Sequence, residues 1–304
     1  MQSISFYIKN PKIFATGILL KLNALIPEKT YLKLLFRLNV GYKLNLKKPE
    51  TFNEKLQWLK LYDRKPDYTS LVDKYEVKNV VSKIIGEEHI VPTLGVWNNV
   101  EEIDWSILPN QFVLKTTHGS GGRGVVICNN KECFNIKDAK EKLSKSLSQS
   151  DTYAHYREWP YKNIKRRIIA EKLLVEALNS SFLKDYKFFC FNGKVRFFKV
   201  DYGRFTEHHA NYYNTRGKLL PFGEADFMPD NNQKIELPNN LEEMISIASK
   251  ISKGHSFLRV DLYNVNGFIY FGEATFYPAS GMGKFSPNYV DYEIGKLLTL
   301  PITK

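Results

Sequence analysis

At 304 residues the chain is long enough for two or three lobes and a sizeable buried core. Its 43% hydrophobic and 25% charged content is that of a soluble globular protein and excludes a disordered or low-complexity chain. The net charge of +12 is uneven: residues 1–65 carry thirteen Lys and Arg against four acids, a net +9, and the rest is nearly balanced.

Nothing at the start reads as a signal peptide, and the apolar run from Phe14 to Leu20 is too short to span a bilayer. Residues 11–40 predict one or two helices broken near Pro27. This basic segment also carries Leu19, Leu20, Leu22, Leu25, Leu32 and Leu35. It suits an anionic membrane face or an acidic polymer, or equally a solvated helical face packed on the body. Thr51 with Glu54 three residues on is a capping box, so a helix should run to about Tyr62. Leu71–Ile85 reads as one helix stopped by Gly86. Ile90–Trp97 is strand-like, with Pro92 marking an edge.

Phe112-Val113-Leu114-Lys115 is a strand, and Val125-Val126-Ile127 is another. Between them stand Gly119, Ser120, Gly121, Gly122 and Gly124. Glycine lets backbone N–H groups turn toward a ligand at close range, and Lys115 supplies a point charge for phosphate. The lysine precedes the glycines and a strand follows them. That order excludes the loops that open a helix onto a nucleotide phosphate. The alternative is a flexible hairpin loop.

Lys137–Leu147 predicts a helix and Arg167–Leu174 a strand. Lys187–Phe191 and Lys194–Val200 predict strands joined at Asn192-Gly193. Leu241–Ser252 is helical, and Phe257–Tyr263 and Phe268–Ala274 pair through Asn266-Gly267. The class is α+β with antiparallel hairpins. The last hairpin sets Asp261 beside Glu273, with Val260 and Leu262 turned to the core and Arg259 on the same face as Asp261. Opposed carboxylates need a positive partner, and Mg²⁺ binds through one or two carboxylates plus nucleotide phosphates. A plain Arg–Asp–Glu salt-bridge cluster is the alternative. Cys128, Cys133 and Cys190 form no disulfide framework and are expected to be reduced, buried thiols.

Lysine, glycine flap, Arg-x-Asp strand, hairpin and Glu strand together resemble the ATP-grasp arrangement in order and spacing. Thr275 takes the place of the family's usual asparagine ligand, with Pro278 and Gly281 after it. Within that superfamily the chain looks most like the TupA-like (teichuronopeptide-type) proteins. Thr51–Leu59, Asp73-Lys74-Tyr75, Lys115–Gly122 and Arg157–Lys165 carry that likeness, which covers about residues 40–300.

The resemblance implies an ATP-grasp fold, two α+β subdomains holding ATP between antiparallel sheets. The boundaries expected are 1–50 for a basic helical segment, 51–110 for the lead into the core, 111–178 for the flap subdomain and 179–304 for the metal and substrate subdomain. It implies that Lys74 and Lys115 hold phosphates under the backbone of Gly119, Ser120, Gly121 and Gly122. Glu171, Lys172 and Leu173 would meet adenine, and Asp185 the ribose. Asp261, Glu273 and Thr275 would hold Mg²⁺, with Arg259 and Lys115 as the catalytic cations. It further implies an ADP-forming carboxylate–amine ligase in the cytoplasm or on the inner membrane face. That enzyme would join an amine or amino acid to a carboxylate-bearing sugar of bacterial surface polysaccharide. The other readings are a phosphotransferase on the same fold and a non-catalytic nucleotide-bound scaffold.

The tract Asp151–Arg167 mixes Tyr153, His155, Tyr156, Trp159 and Tyr161 with Arg157, Lys162, Lys165, Arg166 and Arg167. Such faces suit sugar rings and phosphates. Single-stranded nucleic acid would suit them too, but leaves the flap and carboxylate pair unexplained. The tract also reads as a helix–loop packed under the flap. His208 and His209, after Arg204, read as surface histidines near a turn, with an approach to an acyl acceptor as the alternative.

Overall fold

The computed structural model describes residues 11–119, 121–149, 152–175, 183–203, 208–230 and 235–302. Helices α1 (Pro11–Lys21) and α2 (Glu28–Val40) flank Pro27 as expected. Gly41, at φ 102°, ends α2 by returning its N–H to Arg37. Helix α3 (Phe52–Tyr62) opens on the expected capping box. The Thr51 hydroxyl accepts the Glu54 N–H. The Glu54 carboxylate accepts N–H groups from Asn45 (2.9 Å), Glu50 (3.0 Å) and Thr51 (3.2 Å).

The single helix expected over Leu71–Ile85 is instead two, α4 (Tyr68–Val72) and α5 (Glu76–Ile85). The Asp73 carboxylate accepts N–H groups from Tyr75 (2.8 Å) and Glu76 (3.2 Å), capping a fresh helix. The Lys74 N–H leaves the helix altogether and bonds Thr117 O at 3.1 Å. Apolar periodicity could not reveal this break, because Leu71, Val72, Val77 and Val81 enter the same core on both sides of it.

Strands β1 (Thr93–Trp97), β2 (Phe112–Thr116), β3 (Val125–Cys128) and β4 (Ile168–Lys172) make an antiparallel sheet ordered β1-β4-β2-β3. Helix α6 (Ile136–Ser148) packs against it, burying Leu143 with Phe112, Leu114 and Ile168. A short helix α7 (Thr152–Tyr156) follows α6.

Strands β5 (Asp185–Phe191), β6 (Lys194–Tyr202), β7 (His209–Asn214), β9 (Phe257–Val265) and β10 (Phe268–Thr275) form a second antiparallel sheet, ordered β10-β9-β5-β6-β7. Asn192-Gly193 and Asn266-Gly267 make its turns, all four residues at positive φ. One side packs on α8 (Leu241–Ile251) through Met244 and Ile247, and part of the other meets α3, where Phe52 packs on Phe191 and Phe257. Strands β8 (Gly223–Glu224) and β11 (Phe285–Ser286) pair separately, and α9 (Val290–Leu297) closes the chain against α3. These three elements and β7 are absent from the sequence reading. β8 and β11 are too short to show a period, β7 mixes Asn with Tyr on both faces, and α9 contains Gly295.

A third, small core joins Tyr31, Leu32, Leu35 and Phe36 to Trp58, Leu61, Tyr156 and Met282. The inner face of α2 is therefore part of the body. Cys128 and Cys190 are buried as expected. Cys133 is exposed, because it ends a single surface turn, Lys131–Cys133.

Glu54→Ala should lower unfolding free energy by about 2 kcal/mol, since three backbone N–H groups lose a charged acceptor at once. Urea titration should show the midpoint falling with an unchanged slope.

Candidate functional site

One face of the five-stranded sheet carries a charged cluster beside buried Phe189, Phe191 and Phe257. Because side chains alternate, Asp185 and Lys187 of β5 share it with Lys199 and Asp201 of β6 and with Arg259 and Asp261 of β9. Tyr186, Phe188, Val200, Val260 and Leu262 take the other face into the core. Lys187 pairs in register with Asp261 and is buried. Its ammonium bonds Asp185 and Asp261 (2.9 Å) and lies 3.5 Å from Asp201. Arg259 clamps Asp261 with two bonds of 2.7 Å, and donates to the Thr275 hydroxyl at 3.0 Å. That hydroxyl in turn donates to Glu273 at 2.9 Å. Burial opposes the charge on Asp261, yet Arg259 and Lys187 hold its carboxyl below the ordinary range. The same ion pairs hold Lys187 above its ordinary range against burial.

Glu273 reaches this face through an irregularity. Counting back from the Asn-Gly turn, Phe268 pairs Val265 and Phe271 pairs Leu262, which would set Gly272 opposite Asp261. A β-bulge at Gly272 shifts the register, so Glu273 pairs Asp261 and Thr275 pairs Arg259. A β-carbon on Gly272 would come within 2.9 Å of the Tyr263 ring and 3.1 Å of Asp261 O, so the bulge needs glycine.

The flap lies against this site through Lys74. Its ammonium bonds Gly119 O and stands 3.9 Å from Glu273. Gly121, Gly122 and Gly124 have positive φ. A β-carbon at Gly119 or Gly124 would meet the Thr116 hydroxyl at 2.6 Å, whereas Gly121 and Gly122 face open space. The first two glycines thus seat the flap, and the second two give its tip a conformation that side chains disfavour. Ser120 lies outside the described residues, as do Asp151 and Arg204.

Lys115 bonds the Glu171 carboxylate across β2 and β4. Lys78, one turn beyond Lys74, reaches the same carboxylate at 2.7 Å. Burial pushes Glu171 up, but Lys115 and Lys78 bring it down to about 2. The Glu171 carboxylate is therefore bonded to two lysines. Lys172 donates its backbone N–H to Pro92 O and is exposed, and Leu173 lies just past the strand end. Asp185 is buried and bonded to Lys187. Asp261 and Glu273 already have cations beside them: Arg259 and Lys187 at Asp261, and Arg259 and Lys74 at Glu273.

Glu273 fits a divalent ion: its side chain is 36% exposed and faces the lysine that touches the flap. Asp261 is 6% exposed and carries two cations, so only its remaining lone pairs are open to a metal. Thr275 orients Glu273. Among the described residues no group of three or more His, Cys, Asp or Glu forms a metal cluster. A site completed by phosphate oxygens does not require one.

Residues that the sequence reading passed over are Lys187, Lys78, Lys199, Asp201 and Glu158. Lys187 had a signal, a lone lysine two positions from an aspartate in an otherwise apolar strand. Glu158 is buried beside Ser280, and burial pushes its carboxyl up to about 7. Tyr161 is buried near Glu273 and Glu158, and burial raises its phenol far above the ordinary range. His208 stands 3.7 Å from Asp201, and His209 opens β7 beside Met228 O at 2.9 Å.

A sequence model of the family described as TupA-like ATPgrasp matches residues 54–299. The chain belongs to this TupA-like ATP-grasp family. The two antiparallel sheets, with a glycine flap on one and an Arg-x-Asp/Glu hairpin on the other, are its ATP-grasp fold. Among curated proteins no sequence matches the chain. Solved structures give distant likenesses. D-alanine–D-alanine ligase from Helicobacter pylori is 14% identical over 82% of this chain and 69% of its own, with a TM-score of 0.44. The ATP-grasp ligase PsnB with its minimal precursor, Mg and ADP is 11% identical over 74% and 57%, TM-score 0.38. D-cycloserine synthetase DcsG is 14% identical over 68% and 62%, TM-score 0.38. The chain spans less than two thirds of the last two, and family membership rests on the sequence match alone.

Glu171 is ionised in the fold far below the 4.5 of a free glutamate, so its contribution is complete above about pH 4.5 and fades toward pH 2. Glu171→Gln should cost roughly 3 kcal/mol at neutral pH, with less than half that gap left at about pH 3. Denaturant titrations of both proteins across that range test this, and a constant gap would break the assignment.

Proposed function

We propose that this protein is an ATP-dependent carboxylate–amine ligase that works through an acyl phosphate. The observation that carries this reading is Lys74, which touches the flap backbone at Gly119 and stands 3.9 Å from Glu273. Phosphates held by the flap would therefore lie over the carboxylate pair. Lys74 and Lys115 bind the α- and β-phosphates, and the backbone from Gly119 to Gly124 covers the β- and γ-phosphates. The backbone of Glu171, Lys172 and Leu173 lines the base, with Lys78 keeping Glu171 in place. Mg²⁺, held by Glu273 and the remaining lone pairs of Asp261, would offset phosphate charge.

A carboxylate oxygen of the acceptor attacks the γ-phosphorus, and the bond to the β-phosphate oxygen breaks, releasing ADP. The amine then attacks the acyl carbon, phosphate leaves, and the amine gives up a proton. Arg259 keeps Asp261 ionised and adds positive charge beside the transferred group.

The acceptor we assign is a uronic-acid-type sugar, and the donor an amine or amino acid, in bacterial surface-polysaccharide biosynthesis. The teichuronopeptide-type family supports this, as does the aromatic and cationic tract around Tyr161. Product analysis tests the reading. A ligase forms ADP and phosphate only when amine and carboxylate are both present. Phosphate left on a sugar hydroxyl would make it a kinase, and ATP binding without turnover a scaffold.

Glu273→Gln should abolish turnover with the fold intact, because Glu273 is the more open carboxylate. Asp261→Asn should also abolish it but destabilise the protein, because Lys187 and Arg259 lose a buried counter-charge. Full activity of Glu273→Gln at limiting Mg²⁺ would remove the metal role. Lys115→Ala and Lys74→Ala should each weaken ATP binding about 10- to 150-fold by calorimetry. Unchanged affinity in both would leave the flap a mere loop.

A further inference from the structure

Helices α1 and α2 form a hairpin with one face in the body and the other in water. Between Lys12 and Lys21, α1 has no charged residue, and only Leu19 is buried. A helix apolar nearly all round is normally enclosed in a core or in lipid. Here Ile13 is 51% exposed, Leu34 45% and Leu25 80%, with Ile18 and Leu22 also exposed. Between the two helices runs a groove of about 480 Å³, lined by Ala15, Ile18, Leu22, Leu34 and Leu38, with Lys12 and Arg37 at its rim.

The charges that line this groove, Lys12 and Arg37, are both positive. Residues 11–40 hold Lys12, Lys21, Lys29, Lys33 and Arg37 against a single acid, Glu28, which Arg64 pairs at 2.7 Å. A second copy of the chain would bring two basic rims together. An acidic polymer would meet the charges and leave the apolar groove wet. An anionic bilayer satisfies both features. The 11 residues of α1 extend about 16 Å against a hydrocarbon core of about 30 Å. No described helix is long and apolar enough to cross a membrane. The hairpin would lie in the interface.

We propose that the outer face of the α1–α2 hairpin seats this protein on an anionic bilayer, apolar groove toward the acyl chains and basic rim at the headgroups. The hairpin is not a loose tether. Tyr31 is buried and donates its hydroxyl to His155 O at 2.6 Å. The Arg157 guanidinium covers the Tyr31 ring at 4.5 Å and bonds Asn23 O. Removing residues 1–48 would therefore open the third core, and exposed point substitutions are the proper probe.

The experiment is flotation of the full-length protein with phosphatidylcholine vesicles, with and without phosphatidylglycerol. Binding should require phosphatidylglycerol and fade as salt rises. Each basic residue accounts for about a fivefold change in partitioning. Lys12→Glu with Arg37→Glu should reduce binding at least about tenfold, and Ile18→Ser with Leu25→Ser should do likewise, both with unchanged melting. No flotation at low salt would overturn the proposal. So would equal flotation of the variants. Retained binding of soluble polyuronate by Ile18→Ser/Leu25→Ser, without vesicle binding by the parent, would make the partner an acidic polymer. A dimer that the serine pair breaks would make it a second copy.

Discussion

A lysine buried among three aspartates organises the charged part of the second sheet. Lys187 has Asp185, Asp201 and Asp261 around it, in a sheet whose opposite face there is buried core of Tyr186, Phe188, Val200, Val260 and Leu262. Charges that deep are tolerated only when paired and hydrogen-bonded, and removing one partner leaves another stranded. The network therefore fixes the order of β5, β6 and β9 as firmly as the apolar side does, because a one-residue slip would drive ions into the core. It also grades the carboxylates. Those nearest Lys187 are buried beside cations, and Glu273, at the rim, is the most exposed.

The first sheet meets the α4–α5 junction through backbone as much as through side chains. Asp73 starts a helix where periodicity would continue one, and so frees the Lys74 N–H for Thr117 O. Arg167 locks the same junction, holding Asp73 at 3.0 Å and Glu76 at 2.8 Å and accepting the Thr117 N–H on its carbonyl at 2.9 Å. The flap strand, the neighbouring β4 and the start of α5 thus converge on one point. Lys74 gets its position from a helix start rather than from a helix face.

The features legible in the sequence are those with local causes. The capping box, the Asn-Gly turns, the glycine flap and the proline edge each need only a few neighbouring residues. What escaped depends on partners distant in sequence. The helix break at Asp73 was hidden because both halves feed one core. The two lysines that hold Glu171 come from different elements, β2 and α5. Lys187 looked like an ordinary strand lysine, because its three partners lie 2, 14 and 74 positions away. The opposition of Asp261 and Glu273 was expected, though simple counting from the turn does not produce it.

That opposition rests on Gly272, and it bears on how related chains are compared. Residues before the bulge keep one partner count with β9, and residues after it keep another. An ungapped match to a hairpin without the bulge would set a glycine against the aspartate and push the glutamate one step out of line. The true correspondence opens a single-residue gap at Gly272. Scoring by side-chain type alone would set it anywhere in the strand; pairing geometry fixes it there.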